Sequence, residues 1–154
     1  MADISVYPRT DSNHETAAVD AGTTWENGAK RYRYVQVEDA AVAVGDVVTL
    51  SDTTGGEVTK DRAGGASLGN VVGGVALATV TDAYHGVVQT GGVALVKAAA
   101  TIAAGTALAP SATDGLVAAA TTSTANFVFA VSLGTSTATT SGAGLIYAKL
   151  VSAI

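Results

Sequence analysis

Short apolar runs separated by turn-forming residues fill the chain after about residue 30. In "KRYRYVQVEDA", Tyr32 and Tyr34 fall on one side of an extended segment, while Val35 and Val37 fall on the other. Similar runs follow, among them "DVVTL", "NVVGGVALATV", "HGVVQ", "NFVFAVSL" and "GLIYAKLV", each bounded by Gly, Asp, Asn, Ser or Thr. Many short strands at near-regular spacing predict an all-β fold, a compact β-barrel or β-sandwich.

The alanine-rich stretch over residues 93–110 is the most helix-friendly part of the chain by residue preference. An internal comparison argues for a different structure there. "IAAGTALAP" aligns with "VAVGDVVTL" at an offset of 60 residues, which places Gly105 on Gly45. The earlier copy is rich in β-branched residues. We therefore predict that "TIAAGTALAP" is a turn followed by a strand, with a helix over about residues 96–104 as the alternative.

The repeat continues downstream of these segments. "NVVGGVALAT" resembles "NFVFAVSLGT" at an offset of 56 residues, with Val75 on Val131 and Leu77 on Leu133, as expected if a loop lost four residues. Each copy is predicted to end in a further strand, "GGVALVK" in the first and "GAGLIYAKL" in the second. Two copies are too few for a solenoid. The favoured arrangement is an internal two-copy repeat inside one barrel or sandwich.

Residues 1–30 are polar and poorly periodic, and we predict an extended N-terminal arm there, followed by a β domain over residues 31–154. A floppy terminus is the alternative. The alternation in "ISVY" and a single tryptophan favour an arm that becomes ordered on a partner, because such residues anchor interfaces. The candidate contact residues of the arm are Ile4, Val6, Tyr7 and Trp25.

Three of the eight basic residues lie together at Lys30, Arg31 and Arg33. One interpretation is a solvated edge strand whose charges prevent aggregation. The other is a basic contact for an acidic partner surface. Arg31 and Arg33 are therefore the next candidates for a contact with a capsid or a sister subunit.

Composition excludes several classes of function. A net charge of −5 opposes nucleic-acid binding, which needs a surplus of Lys and Arg. No apolar stretch reaches the roughly 18 residues of a membrane helix, and no secretory signal is legible in "MADISVYPRTDSNHE". We expect a protein that is made in a cytoplasm and contacts neither nucleic acid nor membrane.

Catalytic patterns are missing from the sequence. His14 and His85 belong to no HExxH motif, no GxSxG motif is present, and there are no cysteines. From residue 65 onward the only acids are Asp82 and Asp114. We therefore expect no enzyme activity, no cofactor and no metal site.

The whole phrase "AVAVGDVVTL…GGEV…VVGGVALATV…GGVALVKAAATIAAGTALAP…DGLV" resembles the decoration, or cement, proteins of tailed-bacteriophage capsids over about residues 40–154. Those proteins share a turn glycine before a "DVV" or "TAL" strand and a "GVAL" strand. The resemblance implies a homotrimer on the capsid exterior of the virion, made in the host cytoplasm. It also implies that the partner is the major capsid protein lattice, whose neighbouring capsomers the trimer ties together.

Two other functions fit the same sequence. One is an adhesive or glycan-binding module on the virion surface. The other is a subunit that polymerises into a tail tube or filament.

Overall fold

A computed structural model describes residues 7–61, 71–121, 128–136 and 144–151. Within these ranges the secondary structure consists of strands, turns and bridges, which confirms the all-β prediction. The strands are β1 (Thr24–Asn27), β2 (Lys30–Glu38), β3 (Val47–Leu50), β4 (Glu57–Thr59), β5 (Val72–Ala76), β6 (His85–Ala98), β7 (Ala107–Pro110), β8 (Val117–Ala119), β9 (Ala130–Ser132) and β10 (Gly144–Leu150).

Hydrogen-bonded pairing closes two rings of five strands. The first barrel runs β2-β4-β3-β5-β6 and closes through β2 with β6. The second barrel runs β6-β10-β9-β7-β8 and closes through β6 with β8. The 14-residue strand β6 belongs to both. The two copies of the repeat thus form two small fused barrels, where the sequence favoured a duplication inside one.

Strand register shows which segments of the two copies are equivalent. In the first barrel Val88 lies opposite Ala76. In the second, Ala148 lies opposite Ser132, and both residues follow their counterparts at the repeat offsets of 60 and 56 residues. Strand β10 is therefore equivalent to the first half of β6. The prediction that matched β10 with "GGVALVK" was wrong, because similar residue order does not determine which strands share a register.

The second half of β6 is instead equivalent to β2. Tyr34 of β2 lies opposite Val87, and Leu95 of β6 lies opposite Tyr147 in the same way. Both strands also pair in parallel with the short strand of their own ring, β4 or β8. Each barrel thus consists of the same five strands in the same order, and β6 is the last strand of one barrel and the first of the other.

The turn before β3 and the turn before β7 have the same geometry. Gly45 and Gly105 adopt φ values of 86° and 78°, a region that favours glycine. The amide of Gly45 donates to the carbonyl of Ala76 at 3.0 Å, and that of Gly105 donates to Ser132 at 2.8 Å. "TIAAGTALAP" is therefore a turn and a strand as predicted, and the helix alternative is wrong.

Each barrel encloses its own apolar core. Val48 in the first barrel and Leu108 in the second are fully buried at equivalent positions. The first core contains Val35, Val37, Val42, Val48, Leu50, Val58, Ala76, Val80 and Val88. The second is built mainly from β6, β7, β9 and β10 and includes Val96, Ile102, Leu108, Phe129, Ile146 and Leu150. Alternating positions of each strand supply these side chains, as expected for small barrels.

The N-terminal segment lies against the outside of the first barrel from Tyr7 onward. The amide of His14 donates to the carbonyl of His85 at 2.8 Å, and that of Gly22 donates to Tyr34 at 2.7 Å. A boundary between an arm and a β domain near residue 30 stays a prediction. Ile4 and Val6 lie outside the described residues.

Candidate functional site

A hairpin of β1 and β2 brings four predicted contact residues together. The strands are joined by a two-residue turn at Gly28 and Ala29, which follows the Asn-Gly turn signal of the sequence. Cross-strand pairing places Trp25 opposite Tyr32, Glu26 opposite Arg31 and Thr24 opposite Arg33.

Aromatic side chains fix the N-terminal segment to this hairpin. The rings of Tyr7 and Trp25 stack with centroids 5.0 Å apart and planes 6° apart. Trp25 also packs on Tyr32, with centroids 5.7 Å apart. Tyr32 is buried, whereas Tyr7 remains exposed. Stacked aromatic pairs of this kind contribute about 0.5–1.5 kcal/mol beyond the burial of their area.

A pocket of about 430 Å³ opens beside the hairpin. This volume lies within the usual range of about 300–1,000 Å³ for ligand pockets. Its lining residues come from β1, β2 and β6, and they are Thr24, Trp25, Glu26, Arg31, Tyr32, Arg33 and Thr90. The structure thus places three predicted contact residues, Trp25, Arg31 and Arg33, around one cavity, with Tyr7 stacked behind the tryptophan.

Glycines make room for the two arginine side chains. A Cβ atom on Gly91 would lie 2.7 Å from Nε of Arg31, and one on Gly55 would lie 3.2 Å from Nη1 of Arg33. Both guanidinium groups therefore lie directly over backbone. The sequence shows these glycines but not that they face arginines, since they are remote along the chain.

The Arg33 guanidinium is poorly satisfied. Its Nε and Nη1 atoms are buried and have no hydrogen-bond partner. Burial lowers the pKa of Arg33, and the charge of Asp52 raises it, with burial the larger effect. A buried charge without partners is costly. Residues with perturbed pKa values in a cavity are common at functional sites.

Asp52 does not neutralise Arg33, because its carboxylate is used by its own loop. Its Oδ1 atom accepts from the amides of Gly55 at 2.9 Å, Gly56 at 3.1 Å and Glu57 at 3.2 Å, and its Oδ2 atom accepts from the hydroxyl of Thr54. Burial pushes the pKa of Asp52 up, but these hydrogen bonds outweigh it and hold the pKa below its usual value. The pocket therefore keeps an excess of positive charge on its arginine side.

The interpretation of "KRYRYVQVE" as a solvated edge strand was wrong. Strand β2 has three hydrogen-bonded partners, β1, β4 and β6. The alternation itself is as predicted, since Tyr32 and Tyr34 cluster outside the barrel while Val35 and Val37 enter its core. The remaining interpretation of Arg31 and Arg33 is a contact for an acidic partner.

Both histidines take part in packing around one tyrosine. His14 Nδ1 lies 3.0 Å from the hydroxyl of Tyr34, and the ring of His85 stacks on Tyr34 with centroids 5.8 Å apart. Within the part of the chain that the structure describes, no three His, Cys, Asp or Glu side chains converge as metal ligands. The same residues include no helix with the length and apolarity needed to cross a membrane.

Comparison with known proteins adds one structural relationship. The chain matches no protein-family model and no curated protein sequence. Among solved structures it is similar to the N base of the head fiber gp8.5 in bacteriophage phi29, with a TM-score of 0.55 and 15% sequence identity. The similarity covers 78% of this chain and 92% of that chain. The two chains share a fold.

Proposed function

We propose that the protein is a structural component of a bacteriophage virion that binds the outer surface of the assembled head and cements neighbouring capsomers. The observation that carries this proposal is the fold shared with a head fiber base, since the likeness extends over 92% of that chain. The role needs no catalysis and no cofactor.

The pocket supplies the contact in this proposal. Trp, Tyr and Arg are the residue types that contribute most to interface energies, and Trp25, Tyr32, Arg31 and Arg33 all line this cavity. A carboxylate of the major capsid protein would pair with the positively charged side of the pocket through short, charge-assisted hydrogen bonds. Glycans are disfavoured as ligands because the Trp25 ring is already stacked on Tyr7.

Stabilisation of the head would follow from mass action. A protein that binds only the assembled lattice stabilises it by about 2.7 kcal/mol per site when its concentration is a hundred times Kd. The proposed partner is the lattice on the capsid exterior, and the proposed oligomer is a homotrimer that contacts several capsomers at once. Contacts repeated over many sites would resist rupture by packaged DNA.

Co-sedimentation with undecorated phage heads tests the proposal. The wild-type protein should bind at a saturating stoichiometry and raise the temperature at which heads release DNA. Arg33→Gln and Arg31→Gln should each weaken binding by about 10- to 100-fold, as expected for interface arginines. The matched control is Arg9→Gln, which removes an exposed arginine paired only with Asp11.

Other outcomes would redirect the assignment. Failure to co-sediment with heads would reject the cementing role. Binding to an array of glycans without head binding would favour an adhesive module. Growth of the purified protein into long fibres or tubes would favour a tail component.

A further inference from the structure

The second barrel carries an exposed apolar sheet face. On β10, Leu145 and Tyr147 point away from the core, and Leu95 of β6 lies opposite Tyr147. The amide of Leu133 donates to the carbonyl of Tyr147 at 2.8 Å, which places Leu133 beside the same strand. We define the outer face of the second barrel by these neighbouring side chains: Val93, Leu95, Leu133, Leu145, Tyr147 and Val151.

Exposed apolar residues are concentrated on this face. Among the described residues, seven large hydrophobic side chains are exposed, and five of them belong to this face. Tyr147 is the most exposed of all, at 62%. Contiguous apolar patches on a soluble protein mark interaction sites.

The equivalent face of the first barrel is buried. Tyr34 and Val87 are a cross-strand pair equivalent to Leu95 and Tyr147, and Val87 is only 1% exposed. Its cover comes from the chain itself, because Val19 and Trp25 of the N-terminal segment pack on the cluster of Tyr32, Tyr34 and Val87. The repeat thus shows the same face in a covered and an uncovered form.

Strand connectivity explains why the second barrel has no such cover. In the first barrel the covering segment immediately precedes β2 in the sequence. The strand equivalent to β2 is the second half of β6, which continues directly from the first half. No residues stand between the two halves to fold back over the outer face. A cover in the equivalent position has to come from another molecule.

We propose that a second copy of this chain covers the outer face of the second barrel. Charge favours this occupant. Of the 13 acidic residues, 11 lie within the first 61 positions, while the face itself has no carboxylate and a single basic residue, Lys149. Two chains of net charge −5 would repel each other least through this face. A strongly charged partner would find little to pair with there.

The size of the face also suits a stable contact. Five side chains that are about half exposed present on the order of 500 Å² per chain, a large part of the roughly 800 Å² per partner in a standard interface. Lys149 can lie with its aliphatic stem along the apolar surface and its ammonium in water. The proposal gives the homotrimer of the proposed function a contact surface and rests on it in that respect. Its test uses purified protein without heads, so the two proposals can fail separately.

Sedimentation equilibrium from about 1 µM to about 500 µM tests the contact. The wild-type chain should self-associate, and Tyr147→Glu should weaken association by about 100-fold or more, because it buries a charge without a partner. Tyr147→Phe and Ala17→Glu should behave as wild type, since the first keeps the apolar ring and the second changes an exposed residue of the N-terminal segment. A wild-type monomer throughout, or unchanged association of Tyr147→Glu, would overturn the proposal.

A second measurement covers the case in which Tyr147→Glu fails to fold. The chain has no cysteine, so Leu133→Cys and Ala17→Cys each introduce a single thiol. Labelling of the Leu133→Cys variant should slow as protein concentration rises, while labelling of the Ala17→Cys variant should not change. Equal labelling at all concentrations would reject the second copy. Protection that arises only after heads are added would assign the face to the capsid protein instead.

Discussion

Lys97 donates a hydrogen bond of 2.7 Å to the buried carboxylate of Asp46. Asp46 closes the turn before β3 in the first barrel, where its Oδ2 atom accepts from the amide of Ala43 at 2.8 Å. Lys97 belongs to the half of β6 that starts the second barrel. One carboxylate therefore stabilises a turn in one barrel and pairs with a strand of the other.

Asp46→Ala should destabilise the protein by about 1–3 kcal/mol, because it leaves the Ala43 amide and the Lys97 ammonium without their acceptor. Chemical denaturation followed by circular dichroism measures this difference. Asp11→Ala is the matched control, since Asp11 pairs with Arg9 on the surface and should cost less than about 1 kcal/mol. Equal effects of the two substitutions would contradict a structural role for Asp46.

Tyr34→Phe should loosen the N-terminal segment. The Tyr34 hydroxyl accepts from the amide of Ala18 at 3.1 Å and contacts His14 Nδ1, and the side chain is fully buried. Its loss should cost about 1 kcal/mol and increase the rate of proteolysis between about residues 9 and 23. Cleavage sites mapped by mass spectrometry check this. An unchanged cleavage rate in that segment would mean that backbone bonds alone hold it.

Arg33→Met should raise stability while it lowers affinity for heads. The substitution removes a guanidinium with two buried, unpartnered nitrogen atoms and keeps an unbranched chain of similar length, so a gain of about 1 kcal/mol or less is expected. Thermal unfolding measures the gain, with Arg9→Met as the exposed control. A clear loss of stability would show that Arg33 has a structural role instead.

Glu57→Gln should change stability in a pH-dependent way. Burial and the charges of Glu38 and Asp52 raise the pKa of Glu57. A raised carboxyl pKa means that the favourable contribution is present below the unfolded-state pKa and is lost as the pH rises through the folded-state pKa. The variant should therefore be more stable than wild type at about pH 7, by no more than about 0.5 kcal/mol, with no difference at about pH 3.

Thermal unfolding at both pH values checks the prediction for Glu57. Glu15→Gln serves as the control on an exposed acid of the N-terminal segment. Its effect should be the same at the two pH values. A Glu57→Gln protein that is less stable than wild type near neutral pH would show that the carboxylate makes a favourable contact.

Local sequence predicts the strands well because each apolar run ends at a residue with turn geometry. Gly45 and Gly105 show how the repeat corrects residue preference, since their shared positive φ marks a turn in an alanine-rich stretch. Strand partners are less accessible. Pairing depends on backbone register between distant segments, and for that reason "GGVALVK" was matched to the wrong strand.

The candidate site could be predicted only in part. Trp25, Arg31 and Arg33 were singled out by residue type, and the Asn-Gly turn could have placed Trp25 opposite Tyr32. The buried state of Arg33 has no local signal, because it depends on Gly55 and on a loop that occupies Asp52 with its own amides. The uncovered face of the second barrel likewise emerges only when equivalent strands are compared in space.

Strand β6 has a consequence for how the molecule withstands heat or tension. Residues His85–Ala98 form part of the wall of both rings. If one ring opens, the other loses a strand and its core becomes wet. The two halves should therefore melt in a single transition, and a load applied to one half should be carried by both.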